Sequence, residues 1–395
     1  MFLEKEGKLI YSYDGETVCI EAWGKDALRV RATKNRSFTG RDWALEAKDA
    51  HAGEVEIFED PSAKGGAFAN MYEGTDTSYG KITNGKLHAV IDSGSVITFY
   101  HEDGRVLLKE HFRRLRDEES MPLNIMGREY SNGVGDNFRI VTRFVARKGE
   151  KIFGMGQYQQ HELDLKGCML ELAQRNSQVS VPFYLSSIGY GFLWNNPGVG
   201  QVMFANNGTE WVTESGKEID YLVIAGDTPA EIEENYMTLT GKPPMMPEYG
   251  MGFWQCKLRY WNQEQLLSVA RKYKELGVPL DVIVVDFFHW TKQGEFKFDP
   301  KYWPDVPGMC RELKEMGIQV VVSVWPTVDI YSENFEEMKE KGYLVRTEHG
   351  VPLTMLCGGN EVFFDATNPD ARTYVWEKIK KNYYDQGAKL FWLDV

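Results

Sequence analysis

The chain has 395 residues, 43% of them hydrophobic and 26% charged, the balance of a globular protein with room for two or three domains. A net charge of −13 argues against nucleic acid or an anionic membrane surface as a partner, since both need clustered Lys and Arg. Aromatic residues are plentiful, with 11 Trp, 20 Tyr and 21 Phe; large cores use such rings, and so do sugar sites, where a flat ring forms an apolar platform.

The opening MFLEKEGKLIYSYDGE mixes acids and lysines where a signal peptide would place an apolar core, and no apolar run is long enough to span a bilayer. Cys19, Cys168, Cys256, Cys310 and Cys357 are scattered without C-x-x-C spacing. They are expected to be reduced thiols in a cytoplasmic protein, with neither a metal nor a cofactor.

Residues 1–227 read as short strands broken by Gly, Asn and Asp turns, which predicts a β-sandwich. Alternation is plain over residues 86–108, around the Asp92-Ser93-Gly94 turn, and in VPFYLSSIGYGFLWNN over 181–196. Thr228-Pro229-Ala230-Glu231 is a capping box opening a helix towards Gly241. With Pro243, Pro244 and Pro247 it predicts a helical linker over 228–247. From 248 to 395 strands alternate with helices: YGMGFWQC (249–256), LDVIVVD (280–286), IQVVVSVW (318–325) and KLFWLD (389–394) are the strands, and a hairpin-like insertion falls near 343–366. Buried β-branched runs separated by helices predict a parallel sheet, here the first four strand-helix units of a (β/α)₈ TIM barrel.

Active-site groups in such a barrel stand at the C-terminal ends of its strands. That rule selects Asp286, Trp325 and Asp394. A helix cap or loop salt bridge is the ordinary role of such an Asp. Two acids at equivalent strand ends, ringed by Trp, instead fit glycoside hydrolysis, which needs a pair of carboxyl groups. No Gly-rich phosphate cradle or dinucleotide fingerprint is present, and Gly154-Met155-Gly156 alone is weak. His289 has no second His at ligand spacing.

Residues 281–309, DVIVVDFFHWTKQGEFKFDPKYWPDVPGM, resemble the second barrel strand and loop of glycoside hydrolase family 31. VVVSVWPTVD (320–329) is similar to its third strand and FWLD (391–394) to its fourth; FGMGQ (153–157) and VPFYLSSIGYGFLWNNP (181–197) are similar to its N-terminal sandwich. The resemblance covers about residues 150–395. It implies that Asp394 is the catalytic nucleophile, that Asp286 holds sugar hydroxyls, and that Trp290, Trp325, Trp392 and Trp254, with Gln255 beside it, line the pocket. A sandwich loop that often brings an acid to the pocket in this family corresponds to LAQRNSQ (172–178), whose Gln174, Arg175 and Asn176 include none.

The implied activity is that of a retaining exo-α-glycosidase releasing α-linked xylose or glucose from oligosaccharides. The W-L-D and V-W-P forms lean towards α-xylosidases. An α-transglycosylase and a non-catalytic carbohydrate-binding fragment are the alternatives. The family's acid/base follows the fourth strand, so the chain is expected to be an N-terminal portion, inactive alone. An oligosaccharide is the expected partner, and a homo-oligomer is compatible with the sequence.

Overall fold

The antiparallel pairing of Ala27–Thr33 with Ile219–Ala225 joins the two ends of the first half of the chain into one sheet. In the computed structural model the described residues are 1–46, 49–59, 78–92, 94–111, 113–114, 124–347, 350–355 and 360–395; Ser93 and Cys357 lie outside them. They divide into two compact units, Met1–Pro243 and Pro244–Val395.

The first unit is a sandwich. A nine-stranded sheet has at its centre Ala27–Thr33, Ile219–Ala225, Tyr190–Trp194 and Val179–Ser186. Two five-stranded sheets share a core with it, one holding Ser78–Asn84, Leu87–Ile91 and Ile97–His101, the other Phe138–Phe144, Gly208–Gly216 and Gly200–Ala205. Rings join the layers: Phe192 stacks on Trp211 at 5.1 Å, and Phe99 meets Tyr221 edge-on at 6.2 Å.

Ile219–Ala225 is buried throughout because both of its faces are covered. Tyr221 and Val223 enter the sandwich core. Leu222 and Ile224 pack on the other face with Ile232 and Leu239 of the helix Pro229–Thr240. Phe183 stacks on Tyr236 at 3.8 Å. The helix read from sequence as part of a linker is thus a layer of the first unit, held there by its apolar face. Its predicted N-cap is present, Thr228 Oγ1 accepting from the Glu231 amide at 3.2 Å.

Buried ions brace the sandwich. Arg128 donates to Glu16 at 2.9 Å through both Nε and Nη2, to Ser95, and to Glu110. Burial raises the Glu16 carboxyl, but the Arg128 charge and its hydrogen bonds outweigh that and hold it below the usual range.

The second unit is a parallel four-stranded sheet in the order Trp254–Gln255, Val282–Val285, Gln319–Val324, Leu390–Leu393. The first strand is shorter than the sequence predicts, because Glu248–Met251 forms a 3₁₀ turn. Helices Gln263–Glu275, Val306–Glu315, Phe335–Glu340 and Pro369–Ile379 fall between the strands. Three have side-chain N-caps: Asn262 to Gln265 N at 2.9 Å, Asp305 to Gly308 N at 2.9 Å, Asn368 to Asp370 N at 2.9 Å. The last helix continues into a π turn, Lys380–Tyr384. The insertion closes on itself through bridges Leu344–Phe364 and Thr354–Val362, and its Glu361–Phe363 pairs with Thr327–Asp329 outside it. No helix among the described residues is long and apolar enough to cross a membrane.

Candidate active site

Strand alternation decides which side chains face the inside of the barrel. Ile283, Val285, Val320, Val322, Val324 and Phe391 pack into the helix-side core. Val282, Val284, Val321 and Leu390 cluster on the opposite face. Steps of two along each strand carry that inner face from Val284 to Asp286, from Val321 through Ser323 to Trp325, and from Leu390 through Trp392 to Asp394. Trp254 pairs with Val282 and shares the face. The Asp394 amide donates to the Val324 carbonyl at 3.1 Å, so the ladder extends to the acid itself.

Asp286 is half-buried. Its Oδ1 accepts from the Phe287 amide at 2.8 Å and its Oδ2 from the Cys256 thiol at 3.5 Å. Burial, then the neighbouring Asp286 charge and the hydrogen bond to it, push the Cys256 thiol up to about 11. Cys256 therefore stays protonated and can donate.

Behind Asp286 the loop is locked by His289, whose Nδ1 meets the Asp286 carbonyl at 2.9 Å and whose Nε2 meets the Tyr383 hydroxyl at 2.9 Å. The imidazole is 2% exposed. Burial drives it down to about 4, against the opposing pull of its bond to the Asp286 carbonyl, so it is neutral at physiological pH. His289 is a brace, and among the described residues no group of three or more His, Cys, Asp or Glu is placed to hold a metal ion.

The aromatic residues fall into two sets. Trp290 and Trp325 meet at 5.9 Å, with Phe287 5.4 Å from Trp325 and Phe288 6.2 Å from Trp290. Trp325 Nε1 is buried with no partner among the described residues. Trp254 and Trp392, 42% and 44% exposed, line a separate hollow with Tyr249 and Phe391. The structure thus joins Trp290 to Trp325 and Trp254 to Trp392. Asp394 is half-buried, with its Oδ1 accepting from the Val395 amide at 3.0 Å. Among the described residues no hydrogen bond joins it to Asp286.

The sequence reading passed over Cys256 and Arg259, whose guanidinium lies 3.5 Å from the Trp261 ring and 5.6 Å from Phe288. No motif marks either; both follow the short first strand, which places them by topology alone. In the first unit, Arg175 pairs with Glu171 at 2.6 Å, and Gln174 donates through Nε2 to the Ser180 carbonyl and accepts through Oε1 from the Ser180 amide.

Residues 17–202 match a glycosyl hydrolase 31 N-terminal galactose mutarotase-like domain, and residues 243–395 a glycosyl hydrolases family 31 TIM-barrel domain. The chain is 44% identical over 403 aligned residues to the uncharacterized family 31 glucosidase ORF2 of Pseudescherichia vulneris, covering 99% of itself and 73% of that protein. It is 31% identical to α-xylosidase A of Aspergillus niger, over 96% of itself and 52% of that enzyme. A crystal structure of a GH31 α-xylosidase from a soil metagenome, complexed with xylose, superposes with a TM-score of 0.89 at 47% identity. The match covers all of this chain and 57% of that one, so the chain spans about half the length of these two xylosidases.

Proposed function

Because the chain belongs to glycoside hydrolase family 31, we propose that it supplies the nucleophile half of a retaining exo-α-glycosidase that removes α-linked xylose. The observation that carries this reading is the shared face of Val282, Val284, Val321 and Leu390 on the parallel sheet, which strand alternation extends to Asp286, Trp325, Trp392 and Asp394. The 47% identity to an α-xylosidase solved with xylose supports the sugar, with α-linked glucose the alternative.

In this reading Asp394 attacks the anomeric carbon and displaces the leaving oxygen, forming a covalent glycosyl ester that water then cleaves. Asp286, kept in place by the Phe287 amide and the Cys256 thiol, accepts hydrogen bonds from sugar hydroxyls. The aromatic rings cover the apolar sugar face and exclude water. A retaining site needs a second carboxyl roughly 5–5.5 Å from the nucleophile, to protonate the leaving oxygen. By the family pattern that group follows the fourth strand, so residues 1–395 alone are inactive.

The test is turnover of p-nitrophenyl α-xyloside and α-glucoside by the protein that carries this chain, with and without Asp394→Ala. The variant should lose at least about three orders of magnitude, and azide should partly restore turnover by forming a glycosyl azide of inverted configuration. A loss under about tenfold places the nucleophile elsewhere. Xylosyl transfer that outruns hydrolysis as acceptor rises would make the enzyme a transglycosylase.

A further inference from the structure

Away from the barrel, the sandwich unit carries an open hollow of about 730 Å³, within the about 300–1,000 Å³ typical of small-molecule sites. One wall is the segment that follows the strand Ala27–Thr33 and bears Arg36, Phe38 and Trp43; Asn137, Asn196 and Lys217 face it.

That wall is fixed by buried groups. Glu218, 4% exposed, accepts from the Thr39 amide at 2.8 Å and the Thr39 hydroxyl at 2.9 Å. Arg29, fully buried, donates to the Arg41 carbonyl and the Asp42 carboxylate, both at 2.8 Å. Asp220 holds the same guanidinium at 3.0 and 2.7 Å. Asn195 accepts from the Ala44 amide at 3.3 Å. A surface segment tied down at four successive points is preorganised, and binding through it loses little conformational freedom.

Trp43 stands within this segment at φ 53°, a left-handed backbone that bulky residues rarely adopt. Its ring is not core: the residue is 49% exposed, and its ring contact is the Arg41 guanidinium at 6.0 Å. Such backbone strain gathers at functional positions, and here it presents an indole to solvent beside a hollow.

The polar lining is mixed in sign and in hydrogen-bonding role. Lys217 is paired with Asp136 at 2.8 Å, and Glu218 sets a carboxylate against the Arg36 and Arg41 guanidiniums, so the lining is mixed in sign rather than uniformly basic. Arg36 supplies donors. Asn196 spends its Nδ2 on the Asp220 carbonyl at 2.8 Å and keeps its Oδ1 as an acceptor. Interleaved donors and acceptors beside an exposed indole match a polyhydroxylated ring with one apolar face.

We propose that this hollow is a second saccharide site, taking a neutral gluco-oligosaccharide with one ring on Trp43 and its hydroxyls on Arg36, Asn137 and Asn196. It lies wholly within the first unit and needs no catalytic residue, so it stands whether or not the barrel reading does.

Calorimetric titration of the chain with cellotetraose, and separately with maltotetraose, tests it. At least one should bind with a dissociation constant of about 1 mM or tighter. The arm that binds identifies a β- or α-linked chain. Trp43→Gly should weaken binding at least about tenfold. Glycine takes φ 53° without strain, so the melting temperature should hold or rise. Trp43→Phe should retain most of the affinity, and Arg36→Ala should weaken it with folding unchanged. Trp392→Ala, on the barrel face, should leave it intact. No heat from either sugar up to about 10 mM overturns the proposal. So does equal binding by Trp43→Gly, loss of binding in Trp392→Ala, or displacement of the sugar by sulfate.

Discussion

Asp286 is the residue whose surroundings say most about its task. One carboxylate oxygen is occupied by its own neighbour's amide and the other by a weak thiol donor, which leaves accepting capacity for the sugar hydroxyls of the proposed function. Asp286→Asn should therefore weaken catalysis by roughly 1.5–3 kcal/mol while leaving the fold intact. A large fall in melting temperature with normal kinetics would instead make the acid structural. His289 gives a second prediction. Its folded value lies near 4, below the ordinary 6.5, so between those pH values the unfolded chain binds a proton that the folded chain refuses. Stability must fall as pH drops from 7 to 4, by about 3 kcal/mol from this group. Urea midpoints of the second unit should show that slope in the natural protein and a shallower one in His289→Gln. Equal slopes would count against the buried brace. Neither His289–Tyr383, 94 residues apart, nor Cys256–Asp286 was legible in the sequence. Long-range polar contacts leave no local pattern, whereas the sequence can offer Asp286, Trp325 and Asp394 as candidates because each directly follows an apolar strand.

Among the elements, the strand Ile152–Gln157 is tightly constrained. Its pairing with Val179–Ser186 shifts register between Gly154 and Gly156, and Gly154, Met155 and Gly156 all have positive φ, the marks of a bulge. A Cβ at Gly156 would lie 2.1 Å from the Val179 carbonyl oxygen. Gly156→Ala should thus destabilise the first unit by more than about 1 kcal/mol, from strain and a backbone clash together. A melting temperature unchanged from the natural protein would mean that the bulge relaxes freely. The sequence announced the start of the helix Pro229–Thr240 through the Thr228 capping box. It misjudged YGMGFWQC, where apolar residues fill a 3₁₀ turn rather than a longer strand. It also read the helix at Pro229 as a linker element, because the capping signal shows where a helix begins and not which layer its Ile232 and Leu239 will cover.

At the scale of the whole molecule, the core clusters of the first unit draw, among the described residues, on residues between Phe2 and Leu239. Residues 1–243 made alone should fold, with β-type circular dichroism and a cooperative melt. A molten product would show that the sandwich borrows stability from elsewhere. The segment after it, with Met245 93% exposed, is where subtilisin should cut first. The sandwich also sets a schedule for its own synthesis. Arg29 and its buried partner Asp220 are 191 residues apart, and the strand carrying Arg29 pairs with Ile219–Ala225 near the end of the unit. At about 5–20 residues per second the ribosome needs roughly 10–40 s to bring the second strand to the first. Throughout that interval the emerging chain shows an unsatisfied β-edge, and the Arg29 guanidinium has Asp42 within reach but lacks the bidentate Asp220. A nascent chain stalled before residue 219 should therefore be held by chaperones, and one released just past the helix at residue 240 should let them go.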